Sequence, residues 1–548
     1  MLSFLFSLSL TTGLAQPLII GWQNCFGGPG DEKAYGLVST GDGYMLLATA
    51  FAENQGKNLQ LLRTDTEGNL IWEKHLGGTG TEEAVDVNIA GGGNYFVSSF
   101  STSSDGDITY DPYPGTNNYW VVKVNGTGDI IWDRICGGNC LDLGNNATNT
   151  SDGGVVAYGY SCSKDGDVTK NYGNVDAWMI KLDSAGNKAW DFSIGHNNAD
   201  FSNAVYETSD RGILASAQSY NATGGNIECE YFNWDVDIVL FKLDSTSGQE
   251  WQQCYGGSRG ENVYDIIETS DGYILAGGAQ SGDGDLTGSG YHLGYDGSHQ
   301  TWDIWLLKID FTGNIVWSRC YGGTHNENAC RIFETPDGGF IVFGDTYSFD
   351  GDVTGNHSVA HGWSDIWVIK VNRDGDLLWQ QCFGGNGDEK SYPGDVVDNG
   401  DGNYVVAATL LGSNSGQLTC QPVFEDSQVW LFQLTDTTVV SVRDITPEAN
   451  ALRVYPNPAN EYVMFEVNKP SLTSGGGSLP NPNGAASPAG TPSLPLITIT
   501  DIIGRPVARI PVTGEKTVWD ARGVMPGVYL YQLQTGKGSA CGKLMIAL

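Results

Sequence analysis

A seven-residue stretch, Trp-x-x-Cys-[Phe/Tyr]-Gly-Gly, begins at Trp22, Trp251, Trp317 and Trp379, and looser copies begin at Trp72, Trp132 and Trp190. The successive tryptophans stand 50, 60, 58, 61, 66 and 62 residues apart. A repeat of this period constrains the fold more than any local signal, because each unit must bury a face against its neighbours. Two copies, WQNCFGGPGDEK from Trp22 and WQQCFGGNGDEK from Trp379, agree at ten of twelve positions although 357 residues (379 − 22) separate them.

The unit after Trp251 shows the internal order best: a loop GGSRGEN, a run VYDIIET, a turn SDG, a run YILAGGAQS, a loop with GDGDLT, a run DIWLLKID and a turn FTGN. Short apolar runs bounded by Gly, Asp and Asn read as buried strands. With the Trp segment they make four strands per unit. SDG and FTGN are short enough to close hairpins, whereas the Gly-Gly and GDGDLT segments are longer loops. VYDIIET is therefore placed innermost and the Trp segment outermost, with Gly-Gly as the crossover to the next unit. The seventh set (DVVDN, YVVAATL, VWLFQLT) is followed by no Trp strand, while Ile19–Cys25 has no inner strands before it. The expectation is an all-β fold: a seven-bladed β-propeller over residues 16–440, closed by an N-terminal outer strand that pairs with VWLFQLT around Trp430.

The spacing D-x-x-G-[ND]-x-x-W, as in Asp310 to Trp317 and Asp183 to Trp190, resembles the tryptophan-docking repeat of quinoprotein-type and kelch-like propellers. It is one residue shorter than the quinoprotein pattern, and seven units stand where those dehydrogenases have eight. The resemblance implies tryptophan packing between blades, and fold analogy carries no quinone chemistry with it.

Composition changes near residue 440. Tyr455-Pro456-Asn457-Pro458, then Asp501-x-x-Gly504, then Gly527-Val528-Tyr529, then a closing segment from Lys543 follow in order within the last hundred residues. This combination resembles the type A C-terminal sorting domain of the type IX secretion system. The resemblance implies an immunoglobulin-like β-sandwich over 451–548, after a linker at 441–450, and recognition by the secretion machinery at the outer membrane. VMFEV, LITIT, VYLYQL and KLMIAL read independently as sandwich strands. Residues 470–494, rich in Gly, Pro and Ser, read as a flexible insertion.

Residues 1–15 read as a signal peptide, and no other run reaches the ~18 apolar residues of a membrane-spanning helix. A net charge of −36 repels nucleic acid and anionic lipid. Eleven cysteines fit an oxidising compartment, with at least one left over from intrachain pairing. The expected product is a secreted or outer-surface protein and a monomer.

Any ligand belongs on the face that carries the Gly-Gly crossovers and the second-to-third-strand loops, or at the mouth of the central channel. Two features of that face carry chemistry. Tyr110, Tyr113, Tyr172, Tyr231, Trp234, Tyr291, Tyr295 and Trp363 offer flat rings for a glycan or a protein anchor, or else pack the loops. The pairs Asp105/Asp107, Asp165/Asp167, Asp283/Asp285 and Asp350/Asp352 offer oxygens to Ca²⁺, although an Asp-Gly turn capping its own backbone is the favoured account. His292, His299, His325, His357 and His361 lack the companion ligands of a metal site. Asp and Lys recur together in the third strand (Asp176 with Lys181, Asp237 with Lys242, Asp303 with Lys308, Asp365 with Lys370), which points to a structural role. No catalytic motif or cofactor signature is present. Glycan or protein binding is the leading expectation; a polysaccharide hydrolase or lyase and a structural surface-layer protein are the competitors.

Overall fold

The computed structural model describes residues 18–436, apart from 53–55, 221–223, 229–235, 298, 359–361, 401, 413–414 and 421–425, together with strands between residues 452 and 546. The chain divides into two compact units, Met1–Asp436 and Thr437–Leu548.

Among the described residues the first unit is built from seven four-stranded antiparallel sheets. A representative sheet runs in spatial order Glu261–Thr269, Gly272–Ala279, Asp303–Ile309, Ile315–Tyr321. The first strands of the seven sheets are Glu32–Ser39, Glu82–Gly91, Asp142–Asn149, Asp200–Glu207, Glu261–Thr269, Glu327–Glu334 and Asp388–Asp398. Each packs beside the first strand of the next sheet, and the last of them packs beside the first. The arrangement is propeller-like, with first strands inside and Trp strands outside.

The last sheet takes its fourth strand from the other end of the unit: Leu18–Phe26 pairs antiparallel with Gln428–Asp436, Cys25 lying opposite Trp430. Trp22 itself was expected to pair there and does not. The register skips between Ile20 and Gln23, and the ring packs on Gly68 of the first sheet, where a Cβ would stand 2.3 Å from it. Gly68 has φ 75°, a left-handed conformation in a turn that only glycine fits without strain or clash. Other outer tryptophans dock on the neighbouring sheet in the same way, with their indole N–H donating to a turn carbonyl: Trp132 to Ser184 at 3.2 Å, Trp190 to Ser245 at 3.2 Å and Trp317 to Arg373 at 3.1 Å.

Third strands are covered on both faces, so they read as unbroken apolar runs. Trp120, Trp178, Trp305, Trp367 and Trp430 lie there, each 1 % exposed or less. Each removes roughly 150–250 Å² from water, about 4–6 kcal/mol at ~25 cal/mol per Å². A buried indole N–H needs an acceptor, and the residue after each outer Trp supplies it: Asp133, Asp191, Ser318, Gln380 and Gln23. The recurrent third-strand lysines reach the aspartates of the first hairpin turns, Lys181 to Asp152 at 2.7 Å and Lys308 to Asp271 at 2.7 Å, with Lys242–Asp210 and Lys370–Asp337 alike. Their role is structural.

Cys25 is bonded to Cys420 and Cys140 to Cys162, while Cys136, Cys320, Cys330 and Cys382 are buried thiols. Burial pushes the Cys136 thiol up to about 12.

The second unit has a three-stranded sheet (Leu452–Tyr455, Tyr462–Val467, Lys516–Asp520) and a four-stranded one (Pro506–Pro511, Leu496–Asp501, Gly527–Thr535, Gly538–Ile546). Val463, Phe465 and Trp519 of one meet Ile497, Ile499 and Leu544 of the other in a shared core. Tyr455 ends a strand, Gly527 begins one, Tyr529 is buried and Lys543 lies in the last. Pro456, Asn457, Pro458 and Gly504 lie outside the described residues, as do the expected signal peptide, linker and insertion at 470–494.

Candidate functional site

Every first strand opens on a buried acid: Glu32, Glu82, Asp142, Asp200, Glu261, Glu327 and Glu389, none more than 3 % exposed. Its carboxyl accepts the backbone N–H of the second residue of the crossover just before it, Gly78 to Glu82 at 3.0 Å, Gly138 to Asp142 at 2.8 Å and Gly323 to Glu327 at 3.0 Å among them. Opposite each acid stands a residue at or near the start of the preceding third strand: Asn58, Asn118, Asp176, Asp237, Asp303, Asp365 or, for Glu32, Gln428. Four of the seven junctions thus face one carboxyl with another. Burial, reinforced by Asp303, pushes Glu327 up to about 8; burial pushes Asp176 and Glu32 up to about 7 and Asp142 up to about 6. His292 and His357 belong to the same junctions, with Nδ1 3.0 Å from Asp303 and 2.6 Å from Asp365, and these hydrogen bonds hold both imidazoles above their ordinary pKa.

The Asp-Gly-Asp motif serves the same crossovers. Asp105, Asp165, Asp283 and Asp350 accept N–H groups of Thr79, Asn139, Ser258 and Thr324 at 2.7–2.9 Å. Asp107, Asp167, Asp285 and Asp352 accept from the first crossover glycine, at 3.0 Å for Gly77 and 3.1 Å for Gly256. The self-capping turn is therefore corrected: the carboxylates cap the crossover that leads into their own sheet. Among the described residues no group of three or more His, Cys, Asp or Glu is placed to hold a metal ion. Asn226 and Gln417 take the second aspartate's place in two of the three sheets without the motif. Sequence reading missed them because an amide accepts as well as a carboxylate; Gly-x-Ile and Gly-x-Leu after the glycine are the only surviving signal.

The aromatic residues divide. Tyr110 and Tyr295 are 72 % and 63 % exposed and Trp363 is 37 % exposed. Tyr291 is half-buried and donates its hydroxyl to Thr301 at 2.8 Å, Tyr113 packs over Gly166, and Tyr172 lies under Lys170 at 4.3 Å. Tyr231 and Trp234 lie outside the described residues. No ring pair forms among the six described ones, so they furnish separate contact points and no common platform.

A concave site is found elsewhere, along the first strands. Each carries a β-bulge at the same height, between Ala34 and Gly36, Ala84 and Asp86, Gly144 and Asn146, Ser202 and Val205, Val263 and Asp265, Ala329 and Arg331, and Lys390 and Asp395. A bulge bends its strand and re-aims a side chain. Here it turns a different residue from six of the seven sheets toward a common cavity: Tyr35, Val85, Asn145, Asn203, Tyr264 and Cys330 line two adjoining lobes of about 200 Å³ each. Beyond them, Arg331 binds Asp395 and lies 3.4 Å from Asp265. Asp395 also accepts the Leu37 N–H at 2.8 Å and Asp265 the Ile332 N–H at 2.9 Å, tying four sheets together. Burial works against the Arg331 charge, but Asp395 and Asp265 outweigh it and keep the guanidinium ionised. Burial pushes nearby Asp86 up to about 7 despite that cation. Asp86, Asp265, Arg331 and Asp395 also line a further cavity, together with Leu37, Val87, Ile266 and Phe333.

Comparison with known proteins separates the two units. Residues 453–547 match the secretion system C-terminal sorting domain family. Regulatory protein FlaEY of Caulobacter vibrioides is 23% identical over 227 residues, 39% of this chain. The chain matches 24% of the length of that curated relative. Two solved structures are distantly similar: hydrazine synthase of Kuenenia stuttgartiensis (10% identity, 64% of this chain and 79% of that chain, TM-score 0.38) and the periplasmic gluconolactonase of Pseudomonas aeruginosa (11% identity, 70% and 92%, TM-score 0.36). At such scores neither neighbour bears on what this chain does. Among the described residues no helix is long and apolar enough to cross a membrane. The C-terminal sorting domain marks the chain as one exported by type IX secretion, and the protein is secreted or displayed at the cell surface.

Proposed function

We propose that the first unit is a closed seven-bladed β-propeller, completed by its N-terminal strand, that binds an extracellular glycan or protein at the channel mouth and surrounding loops. It acts as a monomeric binding protein without a cofactor, delivered by the immunoglobulin-like sorting domain. The observation that carries this reading is the contrast in the first strands: an acid recurs at all seven strand openings, while one bulge further on the side chains differ from sheet to sheet. Variation at a concave, rigidly backed position is what ligand recognition needs. Exposed Tyr110, Tyr295 and Trp363 extend the surface outward. The buried acids are committed to crossover N–H groups, which favours binding over acid–base chemistry by those residues.

The test is a glycan array and a pull-down from culture medium with the full chain. Captured ligand that is lost when Tyr35 and Tyr264 are replaced by Ala supports the proposal; silence in both assays overturns it. Delivery has its own readout. A chain ending at Asp436 should remain inside the cell envelope, and efficient secretion of that truncated chain would refute the role given to the last unit.

A further inference from the structure

The corner between the first sheet (first strand Glu32–Ser39) and the second (first strand Glu82–Gly91) is built differently from the others. Three places after the outer tryptophan, five other sheets carry a residue that the loop between their own second and third strands covers. Ser193 donates to the Lys170 carbonyl at 2.5 Å, Ser289 donates to the Cys320 sulfur at 3.2 Å, and Cys382 donates to the Thr354 carbonyl at 3.5 Å. Cys25 is bonded to Cys420, and Ile135 shares a core with Ile108 and Tyr113. Ile135, Ser193, Cys320 and Cys382 are accordingly no more than 5 % exposed. In the first sheet the second and third strands are joined tightly, Ala52 lying opposite Gly56. The equivalent residue there, His75, is exposed. Beside it lies a pocket of about 350 Å³ lined by Asn58, His75, Gly77, Thr79, Asp105 and Asp107.

Other corners of the same chain show what fills this place. The second sheet's loop lays Tyr113 against the Asp-Gly-Asp motif of the third sheet, its hydroxyl oxygen 2.5 Å from where a Cβ on Gly166 would stand. The fifth sheet's loop brings His292 Nε2 to 3.9 Å from Asp352, the second aspartate of the sixth sheet's motif. Gly106 and Asp107 are the matching residues at the first corner, and a Cβ on Gly106 would meet the crossover backbone of Gly77 and Gly78 first, with no ring among its nearest atoms. The third strands tell the two ring types apart. Asp303 and Asp365 hold histidines, and Asp176 accepts the Tyr172 N–H, whereas Asn118 donates its Nδ2 to the Tyr113 carbonyl at 3.2 Å. The first sheet has Asn58 at this place, so its nearest parallel is the corner filled by tyrosine.

We propose that this corner is a docking pocket for a tyrosine-bearing segment of a partner protein, which inserts its ring as Tyr113 does between the second and third sheets. The pocket is separate from the channel mouth and the inference does not depend on that reading. A phenol brings a flat apolar face and one O–H donor. The face covers crossover backbone at Gly77, and the donor finds carboxylates. Asp107 accepts the Gly77 N–H at 3.0 Å, and a carboxylate has room for more than one such bond. Asp105 and Asp107 disfavour an anionic ligand such as a phosphotyrosine, because like charges brought together across an interface cost binding energy. Tyrosine is also among the side chains that most often anchor protein interfaces.

The experiment is saturation-transfer NMR on the full chain with the neutral peptide acetyl-Pro-Tyr-Pro-Gly-Thr-amide, the sequence of residues 112–116, as probe. Its tyrosine ring protons should receive saturation, and the same peptide with alanine or phosphotyrosine in place of tyrosine should bind at least tenfold more weakly. His75→Trp, at an exposed position that tolerates the change, fills the pocket and should abolish binding. Asp107→Asn keeps an acceptor for the Gly77 N–H and should weaken binding severalfold. Silence of the tyrosine peptide, equal binding of the alanine peptide, or binding that survives His75→Trp overturns the proposal. Displacement of the peptide by a neutral methyl glycoside gives the pocket to a saccharide and overturns it too. Binding that survives His75→Trp but is lost in Tyr264→Ala refutes this pocket and leaves the channel-mouth reading standing.

Discussion

The two ends of one bulge behave in opposite ways. On its crossover side, seven sheets present seven acids, from Glu32 to Glu389, each holding the backbone N–H of a crossover or standing where it can. A few residues later the same strands present Tyr35, Val85, Asn145, Asn203, Tyr264 and Cys330. The first position answers a demand that recurs in every sheet, because a buried turn must have its N–H groups satisfied wherever it occurs. The second meets no such demand, since those side chains converge on one shared space. In a repeat protein, what recurs reports on the unit, and what differs reports on the assembly.

The comparison breaks most easily at the repeated core. Trp430→Ala should cost about 3–5 kcal/mol, seen as a fall in denaturation midpoint, whereas Asn145→Ala in the cavity should stay within about 0.5 kcal/mol. Equal losses would mean that the cavity is as structural as the core. Next in size is the link that joins the chain's first strand to its last sheet. Losing Cys25–Cys420, 395 residues apart, through Cys25→Ser should cost about 2–5 kcal/mol, and by chain entropy about 2–3 kcal/mol more than losing Cys140–Cys162, 22 residues apart. Thermal melts of Cys25→Ser and Cys140→Ser read the difference.

The acid junctions predict an unusual pH response. Glu327, Asp176 and Glu32 have folded pKa values of about 8, 7 and 7, above their unfolded values of 4.5, 3.8 and 4.5. Between those limits the folded state binds more protons than the unfolded one, so stability falls as pH rises. His292 and His357, also raised, act in the same direction. Melts should therefore show Tm declining from pH 5 to pH 8.5. Glu327→Gln should match the parent near pH 5 and lose Tm less steeply between pH 5 and pH 8. A rising or flat profile for the parent would show that the junction carboxyls are ionised.

The smallest effect concerns the Asp-Gly-Asp loops. Asp105→Ala removes the acceptor of the Thr79 N–H and should cost about 1 kcal/mol, with the same Tm in calcium and in chelator. A calcium-dependent rise in the parent, lost in the variant, would restore a metal role to the motif.

The spacing of the tryptophans sufficed to place four strands in each unit, their order, and the pairing of Leu18–Phe26 with the strand around Trp430, because a missing outer strand and an orphan one are both visible in the chain. The sorting domain was legible for a different reason: its short motifs survive as contiguous residues. What the chain did not reveal is the meaning of its acids. The Asp-Gly-Asp pairs looked like turns or cation ligands, yet their partners are backbone N–H groups about 25 to 30 residues away, at Thr79 for Asp105 and Gly77 for Asp107. The cavity was equally hidden, since Asn145, Asn203 and Tyr264 stand about 60 residues apart with no pattern between them. The repeat is local, so its period could be read along the chain. The side chains that meet across the channel belong to different repeats, and only folding decides which of them share a wall.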